Sequence, residues 1–227
     1  MTILDTDEIK EVTTPPSLTA DEIHVWHIDL DRPIGEMSGL LSQEETARVE
    51  AMLMEQDKSR YKRVRGAMRS ILGNQLGVPG DALEFIRGEH GKPYIRQTES
   101  AIQFNLTHCA GMALLAVSET IPVGVDLEHI SSRPSQLRIA QRLFPQSAHD
   151  DLAALPSSQQ DAAFYRHWTE FEACAKCQGV GIFTPGKDES GIQTIHFIPK
   201  PGWIACVAGK TSAKEALITL KHFNFML

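Results

Sequence analysis

The chain has 227 residues, 42% of them hydrophobic and 22% charged, with a formal net charge of −7. That length suffices for one large domain or two small ones with a sizeable core, and the acidic balance argues against nucleic-acid binding by the whole surface. No apolar run approaches the roughly 18 residues of a membrane span, the polar start lacks the features of a signal peptide, and Cys109, Cys174, Cys177 and Cys206 are scattered as reduced thiols of a cytosolic protein would be.

Residues 1–20 read as a flexible leader that ends in Thr13-Thr14-Pro15-Pro16-Ser17. From Glu22 to Leu30 apolar and polar residues alternate, a strand signature. Ser42, with Glu45 three residues on, marks a helix start. A longer helix is expected from about Asp57 to Leu76, because Tyr61, Val64, Met68, Ile71 and Leu72 keep the helical period; Gly77-Val78-Pro79-Gly80 ends it. Its basic residues Lys58, Lys62, Arg65 and Arg69 form a second stripe with Arg60 and Arg63 beside it, which in an acidic protein suggests a local anion site rather than only a solvated face.

Leu83 to Ile95 reads as a strand pair around His90-Gly91. Two more strands, Ile102 to Leu106 and Ala113 to Val117, flank a tight segment at Thr107-His108-Cys109-Ala110-Gly111, and Val123 to Glu128 forms another. Helices are expected over Leu137–Phe144 and Asp161–Gln178, then strands over Thr194–Ile198, Trp203–Val207 and Ala216–Phe225. Strands and helices mix without a regular alternation, which points to an α+β fold with largely antiparallel sheet.

The sharpest chemical feature is Asp126-Leu127-Glu128 within an apolar strand. Side chains two apart on a strand share a face, and two carboxylates held together repel unless a cation sits between them. Hard divalent cations take such oxygen ligands; a solvated strand end is the plainer reading of the pair alone. On the second long helix Glu172 and Lys176 are one turn apart and share a face. They are either a surface ion pair or a third carboxylate with a lysine for a phosphate oxygen. Phe104-Asn105-Leu106-Thr107-His108 ends a buried strand in hydrogen-bonding groups. His108 is structural there or, with the Thr107 hydroxyl, contacts an anion. Lys92 in Gly91-Lys92-Pro93 is a solvated lysine or one aimed by a rigid turn at a phosphate. Cys174 and Cys177 form a CxxC with no second pair or paired histidines nearby, a chance spacing on a helix.

In this order, the segments resemble the 4'-phosphopantetheinyl transferase superfamily, in its larger monomeric branch that includes the surfactin-synthetase activator type. Four segments carry the resemblance: Gly91-Lys92-Pro93, Phe104-Asn105-Leu106-Thr107-His108, Gly124-Val125-Asp126-Leu127-Glu128, and Trp168-Thr169-Glu170-Phe171-Glu172-Ala173-Cys174-Ala175-Lys176. It runs from about Leu40 to Gly181, more weakly to the C-terminus.

The resemblance implies a pseudo-twofold pair of similar α/β halves, residues 21–120 and 121–227, with mainly antiparallel sheets and a site in the cleft between them. It implies a monomeric cytoplasmic enzyme that moves the phosphopantetheine arm of coenzyme A to a serine of an acyl or peptidyl carrier protein of fatty acid, polyketide or nonribosomal peptide synthesis. Asp126, Glu128 and Glu172 would hold Mg²⁺, or Mn²⁺ in its place, against the pyrophosphate. Arg60, Lys92, Pro93, Thr107 and His108 match positions at the nucleotide end, Lys176 lies near the phosphates, and Glu172, Lys176 and Asp126 carry catalysis. No nucleic acid or membrane is an expected partner. One departure stands out: Phe171 occupies the place before Glu172 where the family usually has lysine. The alternative it leaves open is a catalytically weakened paralogue that binds coenzyme A without transferring its arm.

Overall fold

The computed structural model describes residues 2–3, 9–12, 14–33, 35–96, 102–181, 190–211 and 217–226. Thr13 and Ala216, named above at the ends of expected segments, lie outside the described residues. Within the first twenty residues the chain makes two short strands, β1 (Thr2–Ile3) and β2 (Lys10–Val12).

The first half then runs β3 (Glu22–Asp29), α1 (Gln43–Glu50), α2 (Glu55–Leu76), a small hairpin β4 (Phe85–Arg87) and β5 (Pro93–Ile95), and a longer hairpin β6 (Gln103–Cys109) and β7 (Met112–Ser118). The second half runs β8 (Val123–His129), α3 (Gln136–Leu143), α4 (Gln146–Ala154), α5 (Ser157–Gln178), β9 (Ile192–Ile198) and β10 (Trp203–Lys210), and β11 (Thr219–Phe225) ends the chain.

The halves share a plan. In each, the first strand pairs antiparallel with the last, β3 with β7 and β8 with β10, and that last strand pairs antiparallel with the middle one, β6 or β9. The long helices α2 and α5 each have 22 residues and each stop on a left-handed glycine, Gly77 at φ 67° and Gly179 at φ 68°. Ser42 caps α1 in the expected capping box with Glu45.

The chain ends cross over. β11 pairs parallel with β3, giving a five-stranded sheet β2-β11-β3-β7-β6, while β1 pairs parallel with β9 in the four-stranded sheet β1-β9-β10-β8. The last strand thus belongs to the sheet of the first half, which a division at residue 121 does not anticipate.

Alternation along the strands sorts the core. Trp26 and Ile28 face α2, where Met68, Ile71 and Leu72 meet them. Ile23, Val25, Leu114 and Ala116 instead meet Val123, Val125, Leu127 and Val207, so the inner faces of the two sheets share one apolar cluster. Phe164 and Tyr165 of α5 pack with Phe144 and Leu152 in a third cluster.

Candidate active site

Strand β6 is an edge of one sheet and β8 an edge of the other, and the two edges lie against each other at the seam of the halves. The Val125 N–H donates to Asn105 Oδ1 at 2.9 Å, so a side chain of β6 takes the place of a ladder bond to β8. Along β8, Val123, Val125 and Leu127 enter the inner cluster. By alternation Gly124, Asp126 and Glu128 then face the other way, toward α5. A Cβ on Gly124 would run into the Ala173 carbonyl and the Cys177 N–H, so only glycine lets α5 lie this close. That close approach brings Glu172 and Lys176 beside Asp126.

The buried Asp126 carboxylate takes two donors on one oxygen. Lys176 Nζ lies 2.5 Å from Asp126 Oδ1, and the Thr107 hydroxyl donates to the same atom at 3.3 Å. Oδ2 is buried and has no hydrogen-bond partner among the described residues. Lys176 also reaches Glu172 Oε2 at 3.1 Å. Glu128 Oε1 accepts from Trp168 Nε1 at 3.1 Å. Burial above all pushes the Asp126 carboxyl up; the Glu172 charge adds to this and the Lys176 ammonium opposes it. Burial, then the Asp126 charge, push Glu128 up as well. Burial pulls the Lys176 ammonium down, but the Asp126 and Glu172 carboxylates outweigh it and hold the group above its ordinary value. The site therefore has more negative than positive charge in a desolvated place, which favours binding a further cation.

Among the described residues no three His, Cys, Asp or Glu side chains are already drawn together as a metal-ligand set. The cation that Asp126 and Glu172 share is the Lys176 ammonium. The chemistry of the donors nonetheless fits a hard divalent ion: Asp126, Glu128 and Glu172 offer only carboxylate oxygens, and one of them, Asp126 Oδ2, is a buried acceptor left without a donor.

The structure does not bring every expected residue to this point. Lys92 is buried at the seam, where its ammonium donates to the carbonyls of Val123 at 2.9 Å and Cys177 at 3.1 Å. It ties β8 to the end of α5 instead of reaching into solvent, and burial pulls its ammonium down. The basic stripe of α2 is largely structural. Arg63 is fully buried and donates to the carbonyls of Asp29 and Pro33. Arg69 donates to Glu45 Oε2 at 2.7 Å and to the Gly80 and Leu83 carbonyls, while Arg65 pairs with the other Glu45 oxygen. Lys58 pairs with Glu55 at 2.6 Å.

His108 and Arg60 lie on the α2 side. A cavity of about 590 Å³ is lined by Arg48, Tyr61, Phe85, Pro93 and His108 among others, and a second of about 420 Å³ by Arg48, Arg60, Tyr61 and His108 among others. Arg60 is there paired with Asp31 at 2.8 Å. Burial, then the Lys176 charge, pull the His108 imidazole down. Thr107 and His108, neighbours on β6, are split between the carboxylate and the cavities. Sequence reasoning missed Arg48 and Tyr61 as cavity-lining groups, and gave no role to the Trp168 N–H. Arg48 lies on a short helix of which the sequence marks only the start at Ser42, and Tyr61 reads as an apolar position of the helical period.

Phe171 does not face the carboxylates. It packs, half-buried, in the apolar cluster of α3, α4 and α5, with its ring 6.2 Å from that of Phe144. Cys174, Cys177 and Cys206 are buried together in a small cluster with Ala173 and Ala208, and none of the three is in a disulfide.

Comparison with known proteins identifies the family. Residues 122–218 match the family described as the 4'-phosphopantetheinyl transferase superfamily, and residues 31–120 match the 4'-phosphopantetheinyl transferase N-terminal family. The 4'-phosphopantetheinyl transferase HetI of Nostoc sp. is 38% identical over 175 residues, 74% of this chain and 74% of that protein. The 4'-phosphopantetheinyl transferase psf-1 of Bacillus pumilus is 34% identical over 135 residues, 57% of this chain and 56% of that one. The 4'-phosphopantetheinyl transferase Sfp of Bacillus subtilis is 26% identical over 166 residues, 71% of this chain and 72% of that one. The chain belongs to the 4'-phosphopantetheinyl transferase superfamily, a family of transferases.

Proposed function

We propose that the chain moves the 4'-phosphopantetheine arm of coenzyme A to a serine hydroxyl of an acyl or peptidyl carrier protein, with Mg²⁺ or Mn²⁺ held by Asp126, Glu128 and Glu172. The observation that carries this reading is the meeting of Asp126, Glu172 and Lys176 at the seam, with one buried carboxylate oxygen left without a donor. Bound there, a divalent cation supplies charge neutralisation at the pyrophosphate.

The chain's own residues do the rest. The cavities bordered by Arg48, Arg60, Tyr61, Pro93 and His108 receive the nucleotide end. The serine oxygen attacks the β-phosphorus, the bond from that phosphorus to the bridging oxygen breaks, and 3',5'-ADP leaves. Glu172 takes the serine proton. Lys176, one turn further along α5, stabilises negative charge growing on the leaving oxygen. Transfer, rather than binding alone, is supported by the place of Phe171, which lies in a packing cluster and leaves Glu172 and Lys176 in contact. The same reading takes the enzyme to be a cytoplasmic monomer. Among the described residues no helix is long and apolar enough to cross a membrane.

The test is to incubate the protein with Mg²⁺, fluorescent coenzyme A and a panel of apo-carrier proteins. Label should appear on at least one carrier and vanish in Asp126→Ala and Glu172→Ala. Labelling of no carrier beside a working control, or labelling that survives both substitutions, overturns the proposal.

A further inference from the structure

Thr107 and Asn105 stand two residues apart on β6 and so share a face of that strand. Both act across the seam on neighbouring positions of β8. Asn105 Oδ1 accepts from the N–H of Val125 at 2.9 Å, and the Thr107 hydroxyl donates to Asp126 Oδ1 at 3.3 Å. Both β6 residues are buried, and so is Asp126. One bond fixes the backbone directly before the aspartate and the other turns its carboxylate. Because Thr107 and Lys176 converge on Oδ1, the oxygen that remains is Oδ2.

We infer that Asn105 and Thr107 are positioning residues for the Asp126 carboxylate, so that the first half of the chain sets the orientation of a metal ligand carried by the second. The family resemblance instead places Thr107 at the nucleotide. The hydroxyl has a partner already, and that partner is the carboxylate. Partners that orient ligating carboxylates in this way tune metal affinity and activity. The inference rests on the reading of Asp126 as a metal ligand.

The experiment measures Mn²⁺ binding directly, by the loss of the free-ion electron paramagnetic resonance signal, in wild type, Thr107→Val, Thr107→Ser and Asn105→Ala, without coenzyme A. Val keeps the shape of Thr and removes the donor; Ser keeps the donor. Thr107→Val and Asn105→Ala should each weaken Mn²⁺ binding about tenfold, the lower end for such partners, and Thr107→Ser should bind as wild type does. With Mn²⁺ saturating, Thr107→Val should lower kcat and leave the KM for coenzyme A within about twofold, the pattern of a misplaced reacting group rather than lost substrate binding.

If wild type binds no Mn²⁺, the metal reading and the inference fail together. If wild type binds it and Thr107→Val binds it equally, the inference alone fails; a raised KM for coenzyme A would then return the hydroxyl to the nucleotide. Equal weakening in Thr107→Val and Thr107→Ser also overturns it, because the hydroxyl is then not what matters. Should Asn105→Ala fail to fold, the Val and Ser pair at position 107 still decides.

Discussion

The Lys176 ammonium lies 2.5 Å from Asp126 Oδ1, and the carboxylate it neutralises is almost wholly buried, with 5% of its side chain exposed. An aspartate so placed cannot be left without a cation at small cost. Lys176→Met should therefore destabilise the metal-free protein by about 3 kcal/mol or more, as removal of one partner of a buried pair does. A divalent cation held at the same carboxylates, as proposed, would take over the lost charge. Added Mg²⁺ should then raise the melting temperature of Lys176→Met more than that of wild type. Equal shifts would show that the metal and Lys176 do not act on the same carboxylate. Transfer should fall sharply in the variant whatever its stability.

Gly124 sets how closely α5 lies on β8. A methyl group there meets the Ala173 carbonyl and the Cys177 N–H, both backbone atoms that cannot rotate away. Gly124→Ala should cost about 1–3 kcal/mol, the range for overpacking a tight core, read as a lower urea midpoint. It should also weaken Mn²⁺ binding, because Glu172 rides on the helix that is pushed outward. A variant that loses stability and keeps full Mn²⁺ affinity would separate helix packing from site geometry.

Histidines at the crossover strand make stability depend on pH. His27 Nε2 lies 3.1 Å from His222 Nδ1, joining β3 to β11, and Phe197 of the other sheet packs on both rings. Burial, then the His222 charge, pull His27 from 6.5 to about 3, and burial pulls His222 from 6.5 to about 4. Both are therefore neutral in the folded protein at pH values where the unfolded chain protonates them. Their stabilising contribution is complete above pH 6.5 and declines as pH falls toward about 4 and then about 3. Each adds a slope of up to about 1.4 kcal/mol per pH unit in that window. Urea titrations of wild type and His27→Gln between pH 7 and pH 4 should show the shallower slope in the variant. Parallel slopes would rule out His27 as a source of the acid sensitivity.

Legibility in the sequence followed the physics of each segment. Gly-Val-Asp-Leu-Glu could be read because strand alternation assigns faces from letters alone, and β8 obeys it. The apolar period of α2 likewise places Val64, Met68, Ile71 and Leu72 in the core. What letters do not carry is the partner. Asn105, Thr107 and His108 look like the end of a strand, yet β6 runs on to Cys109 and turns only at Ala110-Gly111, with Ala110 at φ 46°. The polar residues continue the strand because β8 and the cavities lie against it. Charge is equally mute about burial: Arg63 and Arg69 read as part of a basic stripe fit for an anion and Lys92 as a solvated lysine or a phosphate contact, yet each donates to backbone carbonyls. The helix Gln146–Ala154 carries little sequence signal, because it is short and no Ser, Thr, Asp or Asn side chain caps its start at Pro145.

Phe171 supplies the last test. The family's usual lysine at this place suggests a cation at the rim of the site, yet here the side chain joins Phe144, Phe164 and Trp168 where α3 and α4 pack on α5. Residues 171 and 172 are one helical step apart, about 100° around the axis by the 3.6-residue turn, which is how Phe171 serves the packing while Glu172 serves the site. Phe171→Lys would remove a half-buried ring from an apolar cluster and put an ammonium near it. It should lower stability by about 1–3 kcal/mol, read from urea unfolding. Because the contact of Glu172 with Lys176 does not depend on the ring, transfer to a competent carrier should change less than about tenfold, or about 1.4 kcal/mol in barrier. A gain in rate well beyond that, without loss of stability, would mean that the native phenylalanine weakens the enzyme at its centre and would revive the reading of a chain adapted to bind coenzyme A more than to use it.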